Sequence, residues 1–96
     1  MRYVLLVTYD ISSNKRVQKV FKAMKNWGDH LQLSVFLCHL TPMEQALMKT
    51  DLSNIIDHKK DQIMFIRLGP EGQRSEHAIT TLGKRFVPTS RSAHVF

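Results

Sequence analysis

The sequence has little cysteine, little proline and glycine, and no long apolar run. Cys38 is the only cysteine among 96 residues, which excludes an intramolecular disulfide and a metal motif built on paired cysteines. It lies in an apolar stretch, which favours a buried thiol that packs as a small hydrophobic group over a nucleophile. The first apolar stretch is too short, and too polar at its end, to be typical of a signal peptide or a membrane span. We therefore expect a cytoplasmic protein that does not bind a membrane.

Acidic residues are also scarce. The chain has 8 Asp and Glu against 14 Lys and Arg, which gives a formal net charge of +6. Phosphate backbones attract Lys and Arg without any need for sequence recognition, so this excess indicates a polyanionic partner. A generally basic and soluble surface is the alternative, and charge alone leaves both open.

The first part of the chain predicts a strand followed by an amphipathic helix. Residues 3–9 are β-branched and aromatic with apolar side chains at both parities, which is typical of a strand buried on both faces. Residues 12–14 are all competent helix caps. Over residues 14–27 apolar side chains recur at helical spacing and lysines take much of the remaining circumference: Val17, Val20, Phe21, Met24 and Trp27 against Lys15, Lys19, Lys22 and Lys25. Gly28 occupies the usual position of a helix-ending glycine.

The middle of the chain predicts a second strand region and a second helix. Residues 31–40 form either one long strand or two short ones that meet at a tight corner near Ser34. Thr41 and Pro42, with a glutamate three residues after the threonine, make a helix start. The side of this helix expected to be buried carries Leu47, Met48, Leu52, Ile55 and Ile56.

The last third predicts one more strand and an irregular tail. Residues 63–68 form an apolar strand that the Gly-Pro pair at 69–70 stops. Residues 77–82 have β-branched character, and residues 92–96 are candidates for a short terminal strand. The order is therefore βαββαβ with an extra C-terminal strand or tail. We predict one domain over residues 1–96, an α/β (α+β sandwich) protein of the ferredoxin-like kind.

Asp10 is the candidate centre of chemistry, because it stands where the first strand passes into the first helix. A rigid strand fixes such a side chain while the following loop leaves it open. Basic residues follow closely, and a carboxylate in a phosphate-attracting neighbourhood can hold Mg²⁺ through one or two carboxylates, waters and substrate phosphates. An aspartate that only ends a strand and begins a turn explains the same spacing. The pattern by itself leaves both interpretations open.

One carboxylate is a weak ligand set for the metal ion of a metal-dependent nuclease. The other acids, Asp61 among them, fall in predicted turns or on helix faces. A two-fold homodimer, the commonest assembly of small domains, would bring two copies of Asp10 together. Carboxylates held close repel each other unless a cation lies between them. A shared Mg²⁺ would remove the repulsion and complete the site.

Three short motifs together resemble a known family. The sequence YDI at 9–11 follows an apolar strand, Trp27 and Gly28 end a basic helix, and residues 32–36 read QLSVF. Over about residues 3–68 this combination is similar to the small CRISPR-associated ferredoxin-fold nuclease family, the non-integrase partner in spacer acquisition.

The resemblance implies a homodimeric Mg²⁺-dependent endonuclease that hydrolyses phosphodiester bonds in RNA or double-stranded DNA. It implies that Asp10 is the metal ligand and a catalytic residue, with one ion shared by both subunits, and that Tyr9 is the adjoining catalytic aromatic. It assigns nucleic-acid binding to Lys15, Arg16, Lys19 and His30, and support of the active site to Ser34 and Phe36. CRISPR integrase subunits are the implied protein partners, and we expect the segment at about 83–96 to serve in dimer or partner docking.

This chain departs from the family pattern in its arginines. Histidine stands at His30, where the family often has arginine, and the usual arginine cluster is reduced to Lys15, Arg16 and Lys19. Lysine and neutral histidine cannot make the bidentate phosphate contacts of arginine, which weakens the case for catalysis more than for binding. The alternative function is a non-catalytic scaffold that bridges integrase subunits. A small-ligand regulatory domain has little support, because the sequence has no glycine-rich ligand loop.

Overall fold

The structure, a computed structural model, describes residues 1–84. The elements are β1 (Tyr3–Asp10), α1 (Asn14–Met24), β2 (Gly28–Gln32), β3 (Val35–Leu40), α2 (Pro42–Ser53), β4 (Gln62–Pro70) and a short α3 (Gln73–Glu76). The four strands form one antiparallel sheet in the order β2-β3-β1-β4. This arrangement confirms the predicted ferredoxin-like class. The strand predicted at 92–96 and nearly all of the docking segment predicted at 83–96 lie outside the described residues.

β1 lies between β3 and β4. Its face toward the helices is buried, but on the other face Leu6 and Thr8 are only half-buried, so the prediction of a strand buried on both faces is confirmed only in part. Leu5, Val7 and Tyr9 point toward the two long helices and join the main hydrophobic core. Val4 points to the other face and is also fully buried. Other large side chains of this core come from β3 and the helices: Phe36, Leu40, Val20, Met24, Met48 and Leu52. Full burial of side chains of this size contributes about 1.5–3 kcal/mol each.

α1 begins at a serine cap and ends earlier than its periodicity predicts. Ser13 Oγ accepts a hydrogen bond of 3.3 Å from a backbone N–H of the first turn. The helix ends at Met24, and Gly28 begins β2, so the prediction that Gly28 ends the helix is wrong. A Cβ atom at Gly28 would lie 2.5 Å from Cys38 Sγ and 2.5 Å from the Leu37 carbonyl oxygen. The close approach of β2 to β3 therefore explains the glycine.

α2 begins at the predicted capping box. The Glu44 N–H donates to Thr41 Oγ1 at 3.2 Å, and the Thr41 N–H donates to Glu44 Oε1 at 2.8 Å. Met48 and Leu52 are buried as predicted, but Leu47 is 55% exposed, so its predicted burial is wrong. The side chains of Met48 and Leu52, four residues apart, define the buried stripe, and Leu47 lies about 100° around the helix from Met48.

The chain turns at residues 33–34, so of the two alternatives for the second strand region, two short strands that meet at a corner near Ser34 is the correct one. β4 includes the Gly-Pro pair at 69–70 that was expected to stop it before Gly69, and it ends at Pro70. A proline is tolerated there because β4 is an edge strand of the sheet and Pro70 is its last residue.

The segment after β4 packs against the end of the sheet where β1 begins. The Ser75 hydroxyl donates to the Pro70 carbonyl oxygen at 2.7 Å, and the Glu71 N–H donates to the Arg2 carbonyl oxygen at 2.9 Å. Glu71 Oε2 also lies 2.8 Å from Nδ1 of the buried His39. The β-branched stretch at 77–82 forms no strand. Among residues 1–84, no helix has the length and apolar character needed to cross a membrane.

Candidate active site

Asp10 is the last residue of β1, and its side chain is exposed. It pairs with Gln62 at the start of β4, while Thr8 pairs with Met64. Directly opposed side chains in an antiparallel pair share a face, so these four residues lie on the face of the sheet away from α1 and α2. Within residues 1–84 the Asp10 carboxylate has no hydrogen-bond or ion-pair partner. It is therefore available to a ligand.

Tyr9 directly precedes Asp10, but its side chain lies on the opposite face, because successive side chains of a strand alternate. Its ring is 7% exposed and stacks on Phe36 with a centroid separation of 6.3 Å. Burial raises the pKa of Tyr9 above its ordinary value. Its hydroxyl is buried without a hydrogen-bond partner among the described residues. One chain thus does not bring the two predicted catalytic side chains together, and a catalytic role for Tyr9 stays a prediction.

The two predicted support residues lie at the same end of the sheet as Asp10. The Ser34 carbonyl oxygen accepts a hydrogen bond of 3.1 Å from the Tyr9 N–H, so the corner between β2 and β3 secures the end of β1. Phe36 is completely buried beneath this strand end. Ser34 therefore supports the end of β1 through its backbone carbonyl, and Phe36 supports it through packing.

A buried carboxylate joins the loop before β4 to the start of α1. The Asp61 side chain has no exposed surface, and it accepts hydrogen bonds from the Arg16 guanidinium at 2.7 and 3.1 Å. It also accepts from the Ser12 N–H at 3.0 Å, the Ser12 hydroxyl at 3.1 Å and the Asp57 N–H at 2.8 Å. The Arg16 guanidinium holds the pKa of Asp61 well below its usual range, against the smaller opposing effect of burial. We call these four residues the carboxylate clasp.

Sequence reasoning missed the clasp. It placed Arg16 among the nucleic-acid contacts and treated Asp61 as one acid of a polar turn. The signal that could have found it is topological: in the ferredoxin-like order β4 begins beside the end of β1, so the residue before β4 meets the loop after β1. Arg16 is 26% exposed at its side chain, and its guanidinium is committed to Asp61.

The other predicted nucleic-acid residues lie on the helix side of the sheet. Lys15 and Lys19 are exposed on α1 and have no ion-pair partner within residues 1–84. The His30 ring contacts Phe21 and Phe36, each with a centroid separation of 4.9 Å. Because α1 starts four residues after Asp10, these lysines begin at the same end of the sheet as the carboxylate, but on its other side.

The donor chemistry at this strand end fits Mg²⁺ in part. An exposed carboxylate is the oxygen ligand that Mg²⁺ takes, together with retained waters and substrate phosphates. Among residues 1–84, however, no three side chains of metal-binding types come together. One chain therefore offers Asp10 alone, and a site with two carboxylates requires a second copy.

The sheet face that carries Asp10 is partly apolar and open. We call this surface, formed by Leu6, Thr8, Asp10, Gln62, Met64 and Ile66, the open sheet face. Met64 is 50% exposed and Ile66 is 40% exposed. Apolar side chains gathered on an open surface beside polar ones are typical of an interaction site.

Fold and site together define a ferredoxin-like α+β protein that displays a carboxylate at the end of its first strand beside a lysine-rich helix. The family model described as CRISPR associated protein Cas2 matches residues 1–75. The chain belongs to the Cas2 family, which confirms the resemblance seen in its motifs.

Relatives and solved structures agree with this assignment. The chain is 33% identical over 93 residues to the CRISPR-associated endoribonuclease Cas2 of Geobacter sulfurreducens, covering 97% of each chain. It is 37% identical over 71 residues to the CRISPR-associated endonuclease Cas2 of Halalkalibacterium halodurans, covering 69% of this chain and 74% of the relative. The crystal structure of Streptococcus pyogenes Cas2 at pH 6.5 superposes with a TM-score of 0.71 at 36% identity, covering 83% of this chain and 99% of that one.

Proposed function

We propose that this protein is a homodimeric, Mg²⁺-dependent endonuclease of CRISPR spacer acquisition, acting in the cytoplasm on phosphodiester bonds of RNA or double-stranded DNA. The observation that carries the proposal is the exposed carboxylate of Asp10, which has no partner among residues 1–84 and lies at a strand end of a Cas2-family chain. The names of its relatives, endoribonuclease and endonuclease, support the reaction class.

The open sheet face supports the homodimer. It places exposed Met64 and Ile66 next to Asp10, so that burial of the apolar side chains against a second copy would bring two carboxylates toward one axis. Two-fold interfaces use the same patch on both subunits. A two-carboxylate site would then form only in the dimer.

In the proposed hydrolysis, the two faces of the sheet at this strand end have different roles: one face holds the metal ion and the other holds the phosphates. When bound, Mg²⁺ supplies Lewis-acid chemistry that activates a water and neutralises charge on the phosphate. Asp10 from each subunit would hold the ion. Lys15 and Lys19 would hold the backbone phosphates and offset the negative charge of the transition state. Ser34 and Phe36 keep the end of β1 in place.

A second function is a non-catalytic scaffold that bridges CRISPR integrase subunits on nucleic acid. It is favoured by the kinds of phosphate contact that the basic residues can make. Lys15, Lys19 and His30 cannot provide bidentate phosphate contacts. Arg16 could, but its guanidinium is bound to Asp61. Binding without efficient cleavage is the behaviour that such a set of side chains would produce.

A cleavage assay with labelled RNA and labelled duplex DNA, each with and without Mg²⁺, tests the proposal. We expect Asp10→Asn to abolish Mg²⁺-dependent cleavage while dimerisation and nucleic-acid affinity remain. The matched control is Asp51→Asn on α2, which removes one carboxylate away from this strand end and keeps an acceptor for the Trp27 Nε1–H, now 3.1 Å from Asp51 Oδ2.

Three results separate the alternatives. Equal cleavage by wild type and Asp10→Asn would remove Asp10 from catalysis. Tight binding without cleavage by the wild type would favour the scaffold. Loss of cleavage in the Asp51→Asn control would show that the assay responds to general damage.

A further inference from the structure

Two pairs of lysines lie at the same end of the molecule, although they are far apart in sequence. Lys59 and Lys60, here called the loop lysines, are exposed in the connection between α2 and β4. Lys15 and Lys19, here called the helix lysines, are exposed on α1. The connection from β1 to α1 and the connection from α2 to β4 lie at the same end of the sheet, because β1 ends where its antiparallel neighbour β4 begins.

The carboxylate clasp holds the two lysine pairs together. Arg16 lies between the two helix lysines in sequence, and Asp61 directly follows the loop lysines. Since the Arg16 guanidinium binds the Asp61 carboxylate at 2.7 and 3.1 Å, the loop is attached to the first turns of α1. The contact is bidentate and buried on the Asp61 side, which fixes its geometry.

The loop itself is well ordered by hydrogen bonds. The Lys59 N–H donates to Asp57 Oδ1 at 2.9 Å, and the Lys60 N–H donates to the Asp57 carbonyl oxygen at 3.1 Å. His58 Nε2 lies 3.0 Å from the Ser53 carbonyl oxygen. The backbone is therefore held in place while the two lysine side chains extend into water.

The charge of this region is positive on balance, since the four lysines and Arg16 outnumber Asp10, Asp57 and Asp61. Asp61 is the acid nearest to the loop lysines in sequence, but its carboxylate is buried and satisfied by Arg16 and backbone donors. None of the four lysines has an ion-pair partner within residues 1–84. A surface of this kind attracts polyanions.

We propose that the loop lysines and the helix lysines form one phosphate-binding surface, and that the Arg16–Asp61 pair is the joint that aligns them. Arg16 in this arrangement is a positioning residue. The inference rests on the proposed nucleic-acid function and extends its contact surface to a second element. Its occupant is the phosphate backbone of RNA or duplex DNA, which lysines contact as point charges without reading sequence.

The salt dependence of binding to labelled RNA and labelled duplex DNA tests the surface. Each phosphate contact contributes about 0.7–0.9 to the slope of log K against log salt, so the double substitution Lys59→Ala, Lys60→Ala should reduce the slope by about 1.4–1.8. The control, Arg2→Ala with Arg74→Ala, removes two positive charges at the opposite end of the sheet, where β1 begins and β4 ends. It should leave the slope within error of the wild type.

The joint is tested with Asp61→Asn, checked for folding by circular dichroism. This substitution removes a negative charge, so charge counting alone predicts tighter binding and a steeper slope. Misalignment of the loop lysines predicts weaker binding and a shallower slope. Arg16→Lys, which keeps the charge but not the bidentate contact, should act in the same direction.

The outcomes are distinct. An unchanged slope in the loop-lysine variant, with a reduced slope in Lys15→Ala, Lys19→Ala, would overturn the extended surface, leave the proposed function intact and point to another occupant such as an acidic protein. Tighter binding by Asp61→Asn would overturn the joint. Failure of the wild type to bind either nucleic acid would overturn the proposed function and this inference together.

Discussion

The Arg16 guanidinium and the Asp61 carboxylate form a two-point contact between residues 45 positions apart, with Nε–Oδ2 at 2.7 Å and Nη2–Oδ1 at 3.1 Å. Asp61 is completely buried at its side chain, while Arg16 is 26% exposed. Removing Arg16 would leave the buried Asp61 carboxylate without the opposite charge that balances it, although the Ser12 and Asp57 donors would remain. The pair thus ties the start of α1 to the start of β4, the strand whose first residue pairs with Asp10.

This contact predicts how stability depends on pH. Because the pKa of Asp61 is lowered in the folded protein, its stabilising effect is complete above the unfolded pKa of about 3.9 and is lost as the pH falls toward the folded value. We expect Asp61→Asn to melt at a lower temperature than wild type at neutral pH. The difference should shrink between about pH 4 and pH 2, because the wild type loses the contribution that the variant already lacks. A constant difference down to the lowest pH would contradict the assignment.

The buried hydroxyl of Tyr9 predicts an unusual response to its removal. Tyr9→Phe removes a buried polar atom that has no hydrogen-bond partner among the described residues, so we expect a melting temperature equal to or above that of the wild type. Tyr3→Phe, on the same face at the start of the same strand, is the matched control. Cleavage is measured on both variants. Loss of cleavage at an unchanged melting temperature in Tyr9→Phe alone would assign the hydroxyl a catalytic role.

Gly28 predicts a steric cost that one partner substitution cannot relieve. Gly28→Ala places a methyl group 2.5 Å from both Cys38 Sγ and the Leu37 carbonyl oxygen, so we expect a loss of about 1–3 kcal/mol in the free energy of unfolding. Cys38→Ala removes the sulfur but not the backbone oxygen. Chemical denaturation should therefore show only partial rescue in the double variant, and full rescue would mean that the backbone contact is unimportant.

The open sheet face predicts where a charge should break the proposed dimer. Met64→Glu places a carboxylate on this face near Asp10, and we expect it to shift the protein to a monomer in size-exclusion chromatography with light scattering. Met43→Glu on α2 is the control, since Met43 is 74% exposed against 50% for Met64. A dimer that survives Met64→Glu would move the interface to another surface.

Several parts of this fold could be predicted because their causes are local. The capping box at Thr41 satisfies its own backbone donors within one turn. The corner near Ser34 was only one of two alternatives, because the apolar alternation of residues 31–37 runs through it. Leu47 and Gly28 were predicted wrongly for a common reason. Periodicity and residue type describe a segment, whereas exposure of Leu47 and the contact at Gly28 depend on which other segment packs against it.

The sequence by itself determined the family, the ferredoxin-like order of elements and the position of Asp10 at a strand end, because each is carried by motifs and patterns within a short stretch of chain. Only the tertiary structure decided that Arg16 binds Asp61. It also decided that Tyr9 lies in the core, with a hydroxyl that has no hydrogen-bond partner within residues 1–84, while Asp10 is exposed on the other face. Its pairing of β1 with β4 brings Asp61 to Arg16 across 45 residues, and a sequence pattern reports whether a side chain is polar but not which distant group becomes its partner.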